Sequence, residues 1–141
     1  MNADDLTTIL ADRLAAIAPA GFYVWASDGM LWYSAEAGRF GGQQGDGLVG
    51  QAGTDVRTNY GGYGQDEADN LVGMAIQALD ELQDYIDEAT HDPWPGTRTP
   101  PRPRAEVRGS MLHLWYGQRD NDDVVLACEP IPLGAGGRAP G

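Results

Sequence analysis

Asp28 and Gly29 stand between two runs, Phe22 to Ala26 and Met30 to Ala35, that are apolar or aromatic at nearly every position. A two-residue Asp-Gly connection is the strongest short-range signal for a β-hairpin, because both residues tolerate the positive φ that a tight turn needs. The turn sets the register. Ser27 opposes Met30, Trp25 opposes Trp32 and Tyr23 opposes Ser34 on one face, while Ala26 opposes Leu31 and Val24 opposes Tyr33 on the other. Neither face is polar, so the ribbon either needs cover on both sides or leaves one aromatic face for a partner. Since the helices must pack on something, the aromatic face of Tyr23, Trp25, Met30 and Trp32 is expected in the core, with exposure as the alternative.

Around this hairpin the pattern is helical on both sides. Leu6, Ile9, Leu10, Leu14 and Ile17 recur at three- and four-residue steps and predict a helix over 4–18, capped by Asp4 or Asp5 and ended by Pro19 and Gly21. Residues 36–64 hold half of the twenty glycines and read as a loop region, relieved by an alternating stretch, Thr54 to Tyr60, that suits an edge strand. A second helix over 66–90 buries Leu71, Ala75, Ala78, Leu79, Leu82, Ile86 and Ala89. Five prolines between Pro93 and Pro103 make 91–103 a stiff extended linker.

Arg104 to Arg108 and Met111 to Tyr116 then form a second hairpin about Gly109-Ser110, pairing Val107 with Leu112, Glu106 with His113 and Ala105 with Leu114. A last strand is expected at Val124 to Glu129, and a disordered tail over 134–141. The expected architecture is α+β: one domain over 1–133, with two helices on an antiparallel sheet of five or six strands, in the order α-β-β-(β)-α-β-β-β. Leu-Trp-Tyr occurs at Leu31 to Tyr33 and again at Leu114 to Tyr116, a thin echo between the halves.

Composition narrows function mostly by exclusion. The 141 residues carry 21 acids against 9 basic residues, for a formal charge of −12, which disfavours a nucleic-acid binder. All the basic residues are arginine, so a Walker A loop, a pyridoxal Schiff base and a lysine nucleophile are excluded. The single cysteine, Cys128, permits no internal disulfide and no paired-cysteine zinc site. An acidic start and the lack of a membrane-length apolar run lead to the expectation of a cytoplasmic protein without a membrane partner.

The chemical motifs are weak. Gly45 to Gly50 matches Gly-x-Gly-x-x-Gly without the flanking strand and helix that dinucleotide binding requires, and reads as loop. Asp120 to Asp123 opens like a calcium loop, but the positions for the obligatory glycine and glutamate hold Val125 and Ile131. Cys128 has no nearby cation in the sequence and reads as a packed thiol. His113 opposite Glu106 is the best catalytic pair, although an ordinary sheet face offers the same arrangement. No cofactor, metal site or catalytic residue is therefore assigned.

One feature has quantitative weight. Nine acids and no arginine lie between Tyr60 and Thr97, and Asp80, Glu81, Asp84, Asp87 and Glu88 crowd the carboxyl end of helix two, where the helix dipole disfavours negative charge. Either the arginine-bearing proline segment folds back and neutralises them, or they face water and attract a basic partner. The expected partner-binding residues are those five acids with Trp25 and Trp32. The alternatives are a small hydrolase or transferase using His113 and Glu106, and an accessory protein of a phage or mobile element.

Leu79 to Glu88, Pro93-Trp94-Pro95-Gly96 and Leu112 to Gly117 resemble small uncharacterised actinobacterial proteins, as does the all-arginine composition rich in Gly, Ala and Pro. That resemblance spans roughly the carboxyl-terminal half and implies no activity. The order of elements also looks like secretion-chaperone-like and toxin-immunity α+β proteins, an analogy of fold that does not determine function. The charge segregation and the weakness of every catalytic motif lead to the expectation of a non-enzymatic binding module of the adaptor, chaperone-like or immunity kind.

Overall fold

The computed structural model of the chain describes residues 2–36, 48–55, 67–91, 94–95, 101–117 and 124–133. Its elements are α1 (Ala3–Ile17), β1 (Phe22–Ser27), β2 (Met30–Glu36), β3 (Leu48–Thr54), α2 (Glu67–Thr90), β4 (Pro103–Arg108), β5 (Met111–Gly117), β6 (Val124–Ala127) and β7 (Ile131–Pro132).

Helix α1 begins one residue earlier than expected, and its cap is neither Asp4 nor Asp5. Asn2 is the cap, and its side-chain oxygen accepts from the Asp5 amide at 2.7 Å, which leaves Asp4 and Asp5 in the first turn facing the positive end of the dipole. Thr7 sits among the leucines of the buried face because its hydroxyl donates back to the Ala3 carbonyl at 2.9 Å.

Both hairpins keep the expected register in full, from Tyr23 opposite Ser34 and Trp25 opposite Trp32 to Glu106 opposite His113. Asp28 and Gly29 have φ of 54° and 77°, the signature of a type I′ turn. In the second hairpin Gly109 is at φ 62° and Ser110 is not at positive φ, the sign pattern of a II′ turn.

The strands are antiparallel and form two sheets where a single one was expected. One has the order β1-β2-β3, the other β4-β5-β6 with β7 also on β5, so the described residues hold seven strands where five or six were expected. The extra count arises where Val124 to Glu129 was read as one strand. β6 stops at Ala127, the Cys128 amide still donates to the Leu114 carbonyl at 3.1 Å, Glu129 and Pro130 leave the ladder, and β7 resumes opposite Leu112. Pro130 has no N–H to give a ladder, which accounts for a break there.

The third strand also moved. It runs from Leu48 to Thr54, and the expected residues 56–60 lie outside those described. Glycines made this strand read as loop, yet Gly53 is required: a Cβ there would stand 2.8 Å from the Trp32 ring opposite it. The expected tail over 134–141 and most of the loop 36–64 and linker 91–103 also lie outside the described residues.

One core joins both sheets through the helices. Leu6, Leu10 and Leu14 of α1, Leu31 and Tyr33 of β2, Met74, Leu79, Leu82 and Ile86 of α2, and Leu112, Leu114 and Tyr116 of β5 are all within 1% of complete burial. The two Leu-Trp-Tyr triplets occupy the same place in each half, on the central strand of a β-meander that follows a helix. In both, Leu and Tyr point into the core and Trp to the outer face. Tyr33 stacks on Tyr85 at 6.1 Å, and Tyr116 meets Trp94 edge-on at 5.1 Å while donating to the Leu79 carbonyl at 2.6 Å.

The aromatic face of the first hairpin is therefore not core. Burial of Phe22, Val24, Leu31, Tyr33 and Ala35 takes the opposite side of the ribbon, leaving Tyr23 44% exposed and Trp25 and Trp32 half-buried.

Candidate interaction surface

Helix α2 sorts its side chains by spacing. Leu79, Leu82 and Ile86 turn inward, and Gln83 joins them at the intervening i+4 position, 6% exposed. Its amide donates to two carbonyls, Trp94 at 3.0 Å and Pro101 at 2.7 Å, so both ends of the proline segment are tied to the helix by one residue. Asp87 completes the attachment by accepting from the Trp94 amide at 2.8 Å. Gln83 is absent from the expected buried stripe of this helix, although its place in the 79, 82, 83, 86 spacing marks it as inward-facing.

The proline segment thus returns to helix two, as one of the two accounts required, and among the described residues it is held by hydrogen bonds to its backbone, with no ion pair from its arginines to the acids of the helix. Arg104 donates Nε to the Gly117 carbonyl at 3.0 Å, and Arg108 pairs with Glu106. Arg102 shares a cleft of about 410 Å³ with Asp80 and Gln83 but forms no ion pair with Asp80. Arg98 lies outside the described residues.

Asp80, Asp84 and Glu88 are exposed, and among the described residues no cation pairs with any of them. Partial burial, reinforced by the Asp84 charge, raises the Asp80 carboxyl above its ordinary value. Glu81 is raised by burial and by Asp80 and Asp84, against a hydrogen bond from the Thr54 side chain that lowers it. Asp87 is raised by burial and, more weakly, by Asp84, while the Trp94 amide pulls it down. The last turn of α2 contains no basic residue to offset these charges.

Trp25 and Trp32 lie on the outer face of the first sheet and not on the acidic face of α2. The six-membered ring of Trp32 lies over Gly53, and its indole N–H reaches the Ser27 carbonyl at a long 3.4 Å. Ser34 is on the same face of the ribbon, fully buried, with its hydroxyl unpartnered among the described residues.

Glu106 and His113 are cross-strand neighbours, but Glu106 is engaged by Arg108. A cleft of about 510 Å³ does lie beside His113. Cys128 lines it, and burial pushes that thiol up to about 12, with Arg13 pulling modestly the other way. A cation thus lies near Cys128 after all. It comes from α1, where Arg13 donates to the Glu129 and Pro130 carbonyls, a long-range contact that local sequence could not reveal. Among the described residues no group of three or more His, Cys, Asp or Glu side chains could hold a metal ion, and no helix is long and apolar enough to cross a membrane. Asp120 to Asp123 and Gly45 to Gly47 lie outside the described residues, whereas Leu48 to Gly50 open β3.

The fold is that of a two-sheet α+β protein. No protein-family model, curated protein or solved structure matches the chain.

Proposed function

We propose that this chain is a non-enzymatic protein-binding module that receives a basic partner on the acidic face of α2. Asp80, Glu81, Asp84, Asp87 and Glu88 form that face, and Trp25 and Trp32 offer a second contact surface on the first sheet. One observation carries the reading: Asp80, Glu81, Asp84 and Asp87 repel one another, and among the described residues no ion pair to a cation offsets them or Glu88. Like charges at i, i+3 and i, i+4 cost stability, and a basic partner would relieve that cost on binding while being steered toward the face.

The test is affinity capture from the native host at low and at high salt, using the native chain and an Asp80→Asn, Asp84→Asn, Glu88→Gln variant. A specific partner retained at low salt, released by salt and lost with the variant supports the reading. Capture that ignores the three substitutions removes it.

A hydrolase or transferase using His113 and Glu106 is the second reading, and the cleft beside His113 is the observation in its favour. The Arg108–Glu106 pair weighs against it, because the carboxylate is already committed. On this second reading a broad substrate screen finds an activity that His113→Ala abolishes; on the first the screen finds none.

A further inference from the structure

The cleft beside His113 sits where the second sheet is interrupted. Trp115 pairs with Ala127 and Leu112 with Ile131, so Cys128, Glu129 and Pro130 stand against only His113 and Leu114. The surplus residue pushes the chain out of the ladder, as bulges do, and Arg13 holds the displaced segment by the Glu129 and Pro130 carbonyls at 3.0 and 3.3 Å. The resulting volume, about 510 Å³, is within the range of small-molecule pockets.

Its lining is unusual for so acidic a chain. Among the described residues the ionisable side chains in the wall are those of Arg108, His113 and Cys128, and no carboxylate lines it. Arg108 pairs with Glu106 through Nε and is otherwise largely exposed, so its terminal nitrogens can meet a ligand. The remaining wall is apolar, with Trp115, Val124, Ala127 and Pro130 prominent.

We infer that this cleft binds a small organic monocarboxylate with an apolar body, its carboxylate on Arg108 and His113 and its body against Trp115 and Ala127. A monoanion suits one partly neutralised guanidinium, whereas a dianion would meet the net −12 of the chain with less compensation. The site is separate from the acidic face of α2 and stands or falls independently of it.

The test titrates the isotope-labelled full chain with hexanoate, hexanamide and inorganic phosphate and follows backbone amide shifts. Hexanoate is expected to give saturable shifts at His113, Trp115 and Ala127, with hexanamide and phosphate at least about tenfold weaker, the loss expected for a charge-assisted hydrogen bond. Arg108→Gln should weaken hexanoate about tenfold and leave hexanamide unchanged. Ala127→Leu, an exposed position that fills the cleft, should weaken both. An unchanged amide spectrum outside the cleft shows that each variant is folded. Absence of saturation by hexanoate, equal binding of the amide, stronger binding of phosphate, or indifference to Arg108→Gln would overturn the assignment.

Discussion

The indole of Trp32 lies over Gly53, so close that a methyl group on that glycine would stand 2.8 to 3.0 Å from three ring carbons. The absent side chain is what lets a half-exposed tryptophan lie flat on the first sheet. Gly53→Ala should displace the ring and destabilise the protein by about 1–3 kcal/mol, the usual range for overpacking. Chemical denaturation measures the loss, and a red shift in tryptophan emission reports the displaced ring. An unchanged spectrum and midpoint would show that the ring is not confined there.

Gln83 supports two backbone carbonyls at once, so its replacement should cost more than its size implies. Gln83→Leu keeps the volume but leaves the Trp94 and Pro101 carbonyls without their donor. About 1–3 kcal/mol should be lost for each carbonyl that stays buried. Gln83→Glu should be worse at neutral pH, because a carboxylate would face two acceptors, and should recover on acidification as it gains a proton to donate. Urea midpoints at pH 7 and pH 5 separate the two variants.

Burial raises the Asp80, Glu81 and Asp87 carboxyls, and Asp84 is the charge that adds to all three. Asp84→Asn should therefore stabilise the protein by a few tenths of a kcal/mol per relieved pair, visible as a higher melting temperature. Burial and this repulsion together set the pH dependence. Groups whose carboxyls are raised on folding hold their protons more tightly in the native state than in the unfolded state. Stability contributed by them is present below the ordinary carboxylate range and is lost as pH rises through their higher native values. Melting temperature should thus increase as pH falls from neutrality toward that range, and the increase should shrink in the Asp84→Asn variant.

Cys128 should be inert in the native protein. Burial raises its thiol from an ordinary value near 9 to about 12, so almost no thiolate exists at pH 8. A chromogenic disulfide reagent should react only on unfolding, and rapid labelling of the folded chain would contradict the burial. By linkage, its contribution to stability is intact below about pH 8 and declines as pH climbs from 9 toward 12, where the unfolded chain ionises first.

Much of the fold was legible because its signals are local. Asp28-Gly29 and Gly109-Ser110 dictated both hairpin registers, and the leucine spacings gave both helices to within a residue or so at the ends. Three features escaped because their causes lie far apart in sequence. β3 looked like loop until Trp32 supplied the reason for Gly53. The hold on the displaced segment at Glu129 and Pro130 comes from Arg13, more than a hundred residues away. The outward orientation of Trp25 and Trp32 was a choice between two apolar faces that pattern alone could not settle, decided by Tyr33 reaching Tyr85. At the candidate surface, the acids of α2 were plain from composition, while the attachment of the proline segment through Gln83 required coordinates.

The two meanders carry a kinetic consequence. In the first sheet every strand pairs with its neighbour along the chain, and β5 gathers all its partners within the last forty or so residues, so no ladder has to wait for a distant segment to arrive. Loop closure is therefore cheap in each half, and the two halves share α2 through contacts of longer range, Tyr33 stacking on Tyr85 and Tyr116 donating to the Leu79 carbonyl.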